Sequence, residues 1–403
     1  MSVLIQVRPI VQALKSHKTA VVLLTLEIAL TMAVLGNLVF IVYGGIQRAH
    51  TPTGVAEDQI GVIQSIGVIG AEGSVTTASD LAAIRAVPGV ESAAFGGPPL
   101  WYVDHDPVFL HPDRQHKITR AYELDGSRGL SKTLGLHIVE GRDFDESEVP
   151  VIGQMNQRTQ FPVLITHALA QRLFPGGTAL GKLIYDGQST LRVIGIVDHL
   201  RARLTGRADD DYAIVLEYGV GKSQMGGGFM IRSKPARLQE TLRAAAAALA
   251  KNDPQHVQSK MFTFEQLREK YFRGDLAVGK MLFAIMLILI VVTTLGVSGL
   301  ASFWVQQRRR QIGMRRALGA TRGDILRYFQ IENFLIVSGG VLLGTVCMYG
   351  LNLFLMHRFE LPQLPPVFLL VGAVALWVLG QCAVLGPALR AARVPPVVAT
   401  RSV

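Results

Sequence analysis

Histidines and carboxylates gather in one stretch of the chain. His105, His111, His116 and His137 lie near Asp104, Asp106 and Asp113. Imidazole and carboxylate are ligands for divalent metals, and a metal site wants them at turn or helix spacing with a defined geometry. Here the order is Asp-His-Asp-Pro and then His-Pro-Asp. That reads as an irregular, solvated loop, and no metal site is expected. A second residue with chemical potential is Glu27, the one acid in the apolar run 19–43. An acid inside a membrane span is functional by default, or it sits near the interface and bonds a neighbouring helix. The sequence leaves both open. Nucleotide hydrolysis would need a Gly-x-x-x-x-Gly-Lys-[Ser/Thr] loop to cradle phosphates, and none is present. The Gly226-Gly-Gly228 run has neither the lysine nor the helix. Cys347 and Cys382 both lie in apolar runs. The block 46–275 therefore has no thiol nucleophile and no disulfide framework, and the two cysteines are expected to pack on apolar helix faces. No Ser/His/Asp or Cys/His order stands out, so no catalytic residue is assigned.

The densest constellation is cationic. Between Gln306 and Asp324 lie Arg308, Arg309, Arg310, Arg315, Arg316 and Arg322, with Asp324 the single acid. Gly319 reads as the stop of one helix. Thr321 with Asp324 three residues on reads as a capping box opening the next. A loop that only sets topology needs charge. It does not need Ile312, Met314, Leu318, Ile325 and Leu326 interleaved with that charge, nor a capped break. The stretch reads as a folded docking element, with Arg308–Arg310 holding it in the cytoplasm and 312–318 offering the surface.

The elements around it are set by long apolar runs. Of 403 residues, 49% are hydrophobic and only 17% charged, below the roughly 25% charged residues of soluble domains. Net charge is +10. The basic residues cluster beside apolar runs, so positive-inside topology accounts for them better than nucleic-acid binding does. Runs at 19–43, 281–305, 334–356 and 367–389 each have the roughly 20 residues that a span needs. The first is too long, and lacks a small-residue cleavage site, for a signal peptide. The chain therefore reads as an α-helical membrane protein with four transmembrane helices and a large α+β extracytoplasmic domain inserted between helices 1 and 2. The expected order is a cytoplasmic N-terminus 1–18, helix 1 at 19–45, the domain 46–275, helix 2 at 276–305 and the elbow 306–328. Helix 3 at 329–356, a short loop 357–366, helix 4 at 367–389 and a cytoplasmic tail 390–403 follow. Both termini and the elbow are expected inside, with the domain in the periplasm and the protein in the inner membrane.

Within the domain, strands are expected at 60–69, 90–95, 228–233 and 257–264, and helices at 78–87 and 235–251. A short amphipathic helix at 264–272 leads to the next span. The flanks 46–103 and 226–275 each read strand–helix–strand, a split α+β layer with 104–225 inserted. Strands at 118–124, 163–165, 191–197 and 212–218 and a helix at 168–174 are expected in the insert, with 201–211 a charged, mobile loop. Gly339, Gly340 and Gly344 have small-residue spacing for close packing, within one chain or against a second copy.

Gln311-Ile-Gly-Met-Arg-Arg-Ala-Leu-Gly-Ala-Thr321, followed by Asp324-Ile325, resembles the signature of the FtsX/MacB-like ABC transporter permeases, also called type VII ABC transporters or mechanotransmitters. Glu140-Gly-Arg-Asp-Phe144, Pro162-Val-Leu-Ile165, Leu173-Phe-Pro175, Leu180-Gly-Lys182 and Val193-Ile-Gly-Ile-Val197 follow the order of that family's extracytoplasmic domain. The tail from Pro387 to Pro396 resembles its C-terminal end, which puts an FtsX-like permease domain at 280–398. The family usually has Glu where this chain has Gln311.

The resemblance implies a permease subunit, not an enzyme. Its ATPase-docking elbow would comprise Gln311, Ile312, Gly313, Met314, Arg315, Arg316, Ala317, Leu318, Gly319, Ala320, Thr321 and Asp324. A separate ABC ATPase subunit would carry the ATP and magnesium, and this chain would bind no cofactor. A second permease copy, identical or related, would complete the pair, with lipid around it and no nucleic acid. ATP-driven closure would move the MacB-like periplasmic domain. That motion would drive efflux or export of an amphiphilic molecule or peptide, through a periplasmic adaptor and outer-membrane channel. Regulation of a periplasmic hydrolase, sensing of an antimicrobial, and lipoprotein release are the alternatives.

Overall fold

The structure is a computed structural model and describes residues 18–66, 73–101, 103–145, 147–151, 159–187, 189–219, 228–252, 257–359 and 364–393. The basic leader before Lys18, Gly226 and Gly227, Pro362 and the tail after Arg393 lie outside these residues. The chain divides into two units, Met1–Ile46 with Asp275–Val403, and Gln47–Gly274.

The first unit is helical. Among the described residues four helices are long and apolar enough to cross a membrane: α1 (Lys18–His50), α6 (Phe264–Gln307), α8 (Arg322–Phe359) and α9 (Pro366–Ala392). The short α7 (Arg309–Ala317) lies between α6 and α8. Two glycines let α8 approach α1. A Cβ at Gly340 would lie 2.7 Å from Ile28 Cβ, and one at Gly344 would lie 2.6 Å from Met32 Cβ. Such contacts need small residues, because in lipid helices associate by close packing rather than by escaping water. Gly340 and Gly344 thus serve packing within this chain. Several polar groups inside the unit find partners, which matters where water is absent. Thr31 and Thr293 share a hydrogen bond of 2.8 Å, Asn37 donates to the carbonyls of Ala33 and Met348, and Asn333 donates to Gly380 O. Cys347 and Cys382 are exposed on helix surfaces instead of packed between helices.

Among the described residues the second unit holds eleven strands. Its flanks form a four-stranded antiparallel layer in the order β11 (Val257–Thr263), β1 (Ile60–Ile66), β10 (Gly228–Arg232), β2 (Ser92–Gly96). The helices α2 (Gly73–Arg85) and α5 (Leu238–Asn252) connect β1 to β2 and β10 to β11. These are two interleaved split β-α-β units. Their helix-facing core includes Ile63, Ile84, Phe229, Leu242 and Leu249.

The insert forms a closed ring. Its strands are β3 (Asp104–Phe109), β4 (Lys117–Ser127), β6 (Gln160–Thr166), β7 (Leu183–Tyr185), β8 (Thr190–Val197) and β9 (Ala213–Tyr218), with β5 (Ile138–Gly141) paired on β8. Neighbours run β4-β3-β7-β8-β6-β9, and a parallel pairing of β9 with β4 closes the circuit, removing free edges. After the short α3 (Leu130–Leu134), the helix α4 (His167–Leu173) packs Leu169 and Leu173 into a core with Val163, Ile165 and Val193. Layer and ring meet where β2 pairs with β4 at Gly96 and Gly126. A Cβ at Gly126 would sit 2.6 Å from the carbonyl oxygen of Phe95, so the strands can approach only without one.

Three further expectations change. Residues 104–109 form strand β3, paired residue by residue with β4, and not a loop. The charged segment 201–211 is pinned. Asp211 accepts from Leu200 N and Arg201 Nη2, Asp210 accepts from Thr205 Oγ1 and Gly206 N, and Ala202 and Leu204 are buried. The short helix at 264–272 and the span after it are one continuous helix, α6. It opens with a box in which Thr263 N donates to Gln266 Oε1 and Gln266 N donates to Thr263 Oγ1.

Candidate functional site

The elbow is built from two backbone stops and one ion pair. Helix α6 ends at Gln307, and Arg308 leaves helical geometry at φ −98° and ψ 11°. Nine helical residues follow as α7. Gly319 then turns left-handed at φ +97°. Its N–H donates to Arg316 O, and the Ala320 N–H donates to Arg315 O. These two bonds make a Schellman stop, which only a residue tolerant of positive φ supports well. Two residues on, Thr321 opens α8. Asp324 Oδ2 accepts from Thr321 N at 3.0 Å and from its hydroxyl at 2.6 Å, while Asp324 N donates to Thr321 Oγ1 at 3.1 Å. Both halves of the capping box are in place.

One face of α7 is bound to the helices beside it. Ile312 is 5% exposed and packs with Ile325 and Phe329 of α8. Arg315 lies 4.8 Å from the ring centroid of Tyr328, a cation–π contact. Arg316 donates to Ala392 O at the end of α9. Just before α7, Arg308 Nη1 donates to both oxygens of Glu332 at 2.9 and 3.0 Å, and the two residues are 9% and 1% exposed. Arg308 is thus a buried, neutralised cation and not a free topology charge. Glu332 escapes a sequence reading that starts the third apolar run at residue 334. The available signal was an acid inside the helix expected at 329–356, the same signal that singled out Glu27.

The opposite face is open. Arg310, Gln311, Met314, Ala317 and Leu318 recur at helical spacing and are all exposed, Leu318 at 85%. The expected docking set therefore divides. Ile312 and Gly313 are buried and cannot meet a partner, so a surface spanning all of 312–318 is corrected to this outer stripe. Arg315 and Arg316 are tied inward, and Gly319, Ala320, Thr321 and Asp324 shape the turn.

Glu27 lies elsewhere in the same unit, against α6. A Cβ at Gly296 would lie 2.5 Å from Glu27 Oε2, so the missing side chain makes room for the carboxyl. The histidines and acids of the insert do not converge. His105 stacks on Tyr122 with centroids 4.3 Å apart, and among the described residues no group of three or more metal-capable side chains forms.

Comparison with known proteins covers both units. Residues 22–249 match the protein-family model of the MacB-like periplasmic core domain, and residues 283–396 match that of the FtsX-like permease C-terminal region. Among curated relatives, the macrolide export ATP-binding/permease protein MacB of Acinetobacter baylyi is 27% identical over 54% of this chain and 32% of its own length. The MacB of Bordetella avium is 30% identical over 53% of this chain and 32% of its own length. That of Chromobacterium violaceum is 25% identical over 67% and 42%. The chain thus spans well under half the length of these relatives. Among solved structures, the periplasmic region of MacB from Actinobacillus actinomycetemcomitans aligns at TM-score 0.35 and 13% identity over 56% of this chain and 97% of its own. The extracellular domain of the transporter YknZ aligns at 0.34 and 14%, over 50% and 98%.

Proposed function

The chain belongs to the family defined by the MacB-like periplasmic core domain and the FtsX-like permease region, and from that premise we propose that it is the membrane permease subunit of an ABC transporter, driven by a separate ATPase. The observation that carries this reading is the two-faced elbow. One face of α7 is fastened to α8 and α9, and the other presents Met314, Ala317 and Leu318 to a partner. An apolar side chain as exposed as Leu318, at the tip of a short helix between two spans, is what a docking contact needs. In this reading the ATPase holds ATP and magnesium and docks on the outer stripe. A second permease copy completes the pair. Force entering at the elbow moves the inserted α+β domain, which lies in the periplasm while both termini stay in the cytoplasm. The work done is export of an amphiphilic molecule or peptide, in keeping with the macrolide-export names of the relatives.

The test co-purifies the chain with its ATPase subunit in lipid nanodiscs. Ala317→Asp and Leu318→Asp should each lower stimulated ATP hydrolysis at least tenfold. Yield and thermal midpoint should hold, since both side chains are exposed. Unchanged stimulation in both variants refutes docking on this face.

A further inference from the structure

The α/β unit contains a cavity of about 640 Å³ between the edge strand β11, the first turns of α6 and the loop that follows β2. That size falls within the range of small-molecule sites, roughly 300 to 1,000 Å³. Its walls divide by chemistry. Trp101, Phe262 and Tyr271 supply aromatic surface, while Lys260, Lys270 and Arg273 supply charge. Among the described residues no acid lines it, and none of the three cations has an ion-pair or hydrogen-bond partner. A neighbouring arginine of this unit is paired. Arg268, two residues before Lys270 on the same helix, contacts both oxygens of Glu57 at 2.6 and 2.7 Å. The unpartnered cations thus sit apart from the pairing that stabilises the fold.

The aromatic wall is held in place before any ligand arrives. Trp101 meets Phe262 edge-on at 5.7 Å between centroids. A Cβ at Gly228 would lie 3.2 Å from Trp101 Cζ3, so the absence of one leaves the indole its seat. Tyr271 Oη accepts from Leu204 N at 3.3 Å, which fixes that ring. Leu100, also in the wall, has φ +67° and is 5% exposed, and its N–H donates to Ala202 O at 2.9 Å. Leucine seldom adopts that conformation, and such strain persists where surrounding structure enforces it, commonly at ligand clamps.

We propose that this cavity binds an anionic amphiphile. The aromatic wall takes the apolar body, and Lys260, Lys270 and Arg273 take a carboxylate, sulfate or phosphate head. Three cations with no counter-charge among the described residues repel a cationic amphiphile and leave a neutral one without a partner for them. As a statement about cargo the proposal rests on the permease reading; as a binding site it stands without it. The ligand chemistry has two sources, an anionic lipid of the bilayer or a free amphiphile in the aqueous phase.

The experiment uses the full chain in phosphatidylcholine nanodiscs, without nucleotide or ATPase, and two photoreactive probes. Diazirine-bearing palmitate is added from water, and diazirine-bearing phosphatidylglycerol is built into the bilayer. Mass spectrometry of the digested protein should place saturable adducts on Trp101, Phe262 or Tyr271. Excess palmitate should displace them and hexadecylamine should not. The exposed-residue variant Lys260→Gln/Lys270→Gln/Arg273→Gln should lower labelling at least tenfold. Labelling by palmitate alone assigns the aqueous source, and labelling by phosphatidylglycerol, alone or with palmitate, assigns the membrane. Absence of adducts on these residues from both probes overturns the proposal, as does equal displacement by hexadecylamine or unchanged labelling of the triple variant. Because no ATPase is present, failure here leaves the elbow reading intact, and failure of the elbow test leaves this site intact.

Discussion

Replacing Arg308 by leucine tests how the elbow is held. The wild-type guanidinium contacts both Glu332 oxygens, and the two side chains are 11% and 2% exposed. Removing the cation strands a carboxylate in the helix interior, and such a break costs about 3–5 kcal/mol. Replacing both partners removes the stranded charge, and a well-packed apolar pair in place of a buried ion pair is often neutral or stabilising. Arg308→Leu should therefore cost about 3–5 kcal/mol, Glu332→Leu a similar amount, and the double variant about 1 kcal/mol or less. A double-mutant cycle then yields a coupling of several kcal/mol. The assay is denaturation of the purified chain in mixed micelles, followed by far-UV circular dichroism. Two results refute the reasoning: a single-variant cost below about 1 kcal/mol, or a double variant as unstable as the sum of the singles. A second readout separates stability from function. The double variant should keep its fold and bind the ATPase, because the outer stripe is untouched, yet lose stimulation of hydrolysis.

Further outcomes follow from single contacts. Burial, then the charges of Asp186, Asp125, Asp106 and Asp104, push the Glu123 carboxyl up to about 8 from its ordinary 4.5. The folded state therefore binds a proton that the unfolded chain has lost between those values. Stability falls as pH rises through that window, by at most about 5 kcal/mol for a shift of that size. Glu123→Gln should flatten this fall, giving a chain more stable than wild type at pH 8.5 and similar below pH 4.5; parallel melting curves across pH would count against it. Gly344→Leu should separate α8 from α1, since even a Cβ would meet Met32 Cβ at 2.6 Å, and should abolish a monodisperse gel-filtration peak. Gly350→Leu on the same helix, with nothing within 4 Å of a Cβ, should elute as wild type.

What was legible in the chain follows the range of the interactions. The Gly319 stop and the Thr321–Asp324 box are fixed by residues three to five apart, and both could be read directly. The four long helices follow from run length. Strands β6 and β8 carry β-branched runs that mark them, whereas β7 has three residues and β5 four, too few to show a period. Strand β3 was hidden because Asp104, His105, Asp106 and Pro107 break the apolar alternation. Its place comes from pairing with β4, a contact made after a turn and not within the segment. The Arg308–Glu332 pair was out of reach for the same reason, its partners lying 24 residues apart.

That pair changes how the arginine run must be counted. As charge, the six arginines look interchangeable, and topology rules treat them so. In the folded elbow they differ. Arg308 is neutralised by Glu332, Arg315 lies on the Tyr328 ring, and Arg316 caps Ala392, while Arg309, Arg310 and Arg322 are exposed. Among the described residues Arg309, Arg310 and Arg322 are exposed without such a contact, whereas Arg315 is exposed but held on the ring. The three tied residues bracket Ile312 and span Arg308 to Arg316, eight helical steps or about 12 Å. A force applied to Leu318 on the outer stripe therefore meets a helix fastened along its inner face at several points. Under the proposed function, that force is passed to α8 and α9 instead of being absorbed by bending of the elbow. Loss of docking and loss of transmission then become separable defects. Leu318→Asp should produce the first with the ion pair intact, and Arg308→Leu/Glu332→Leu the second with the docking stripe intact.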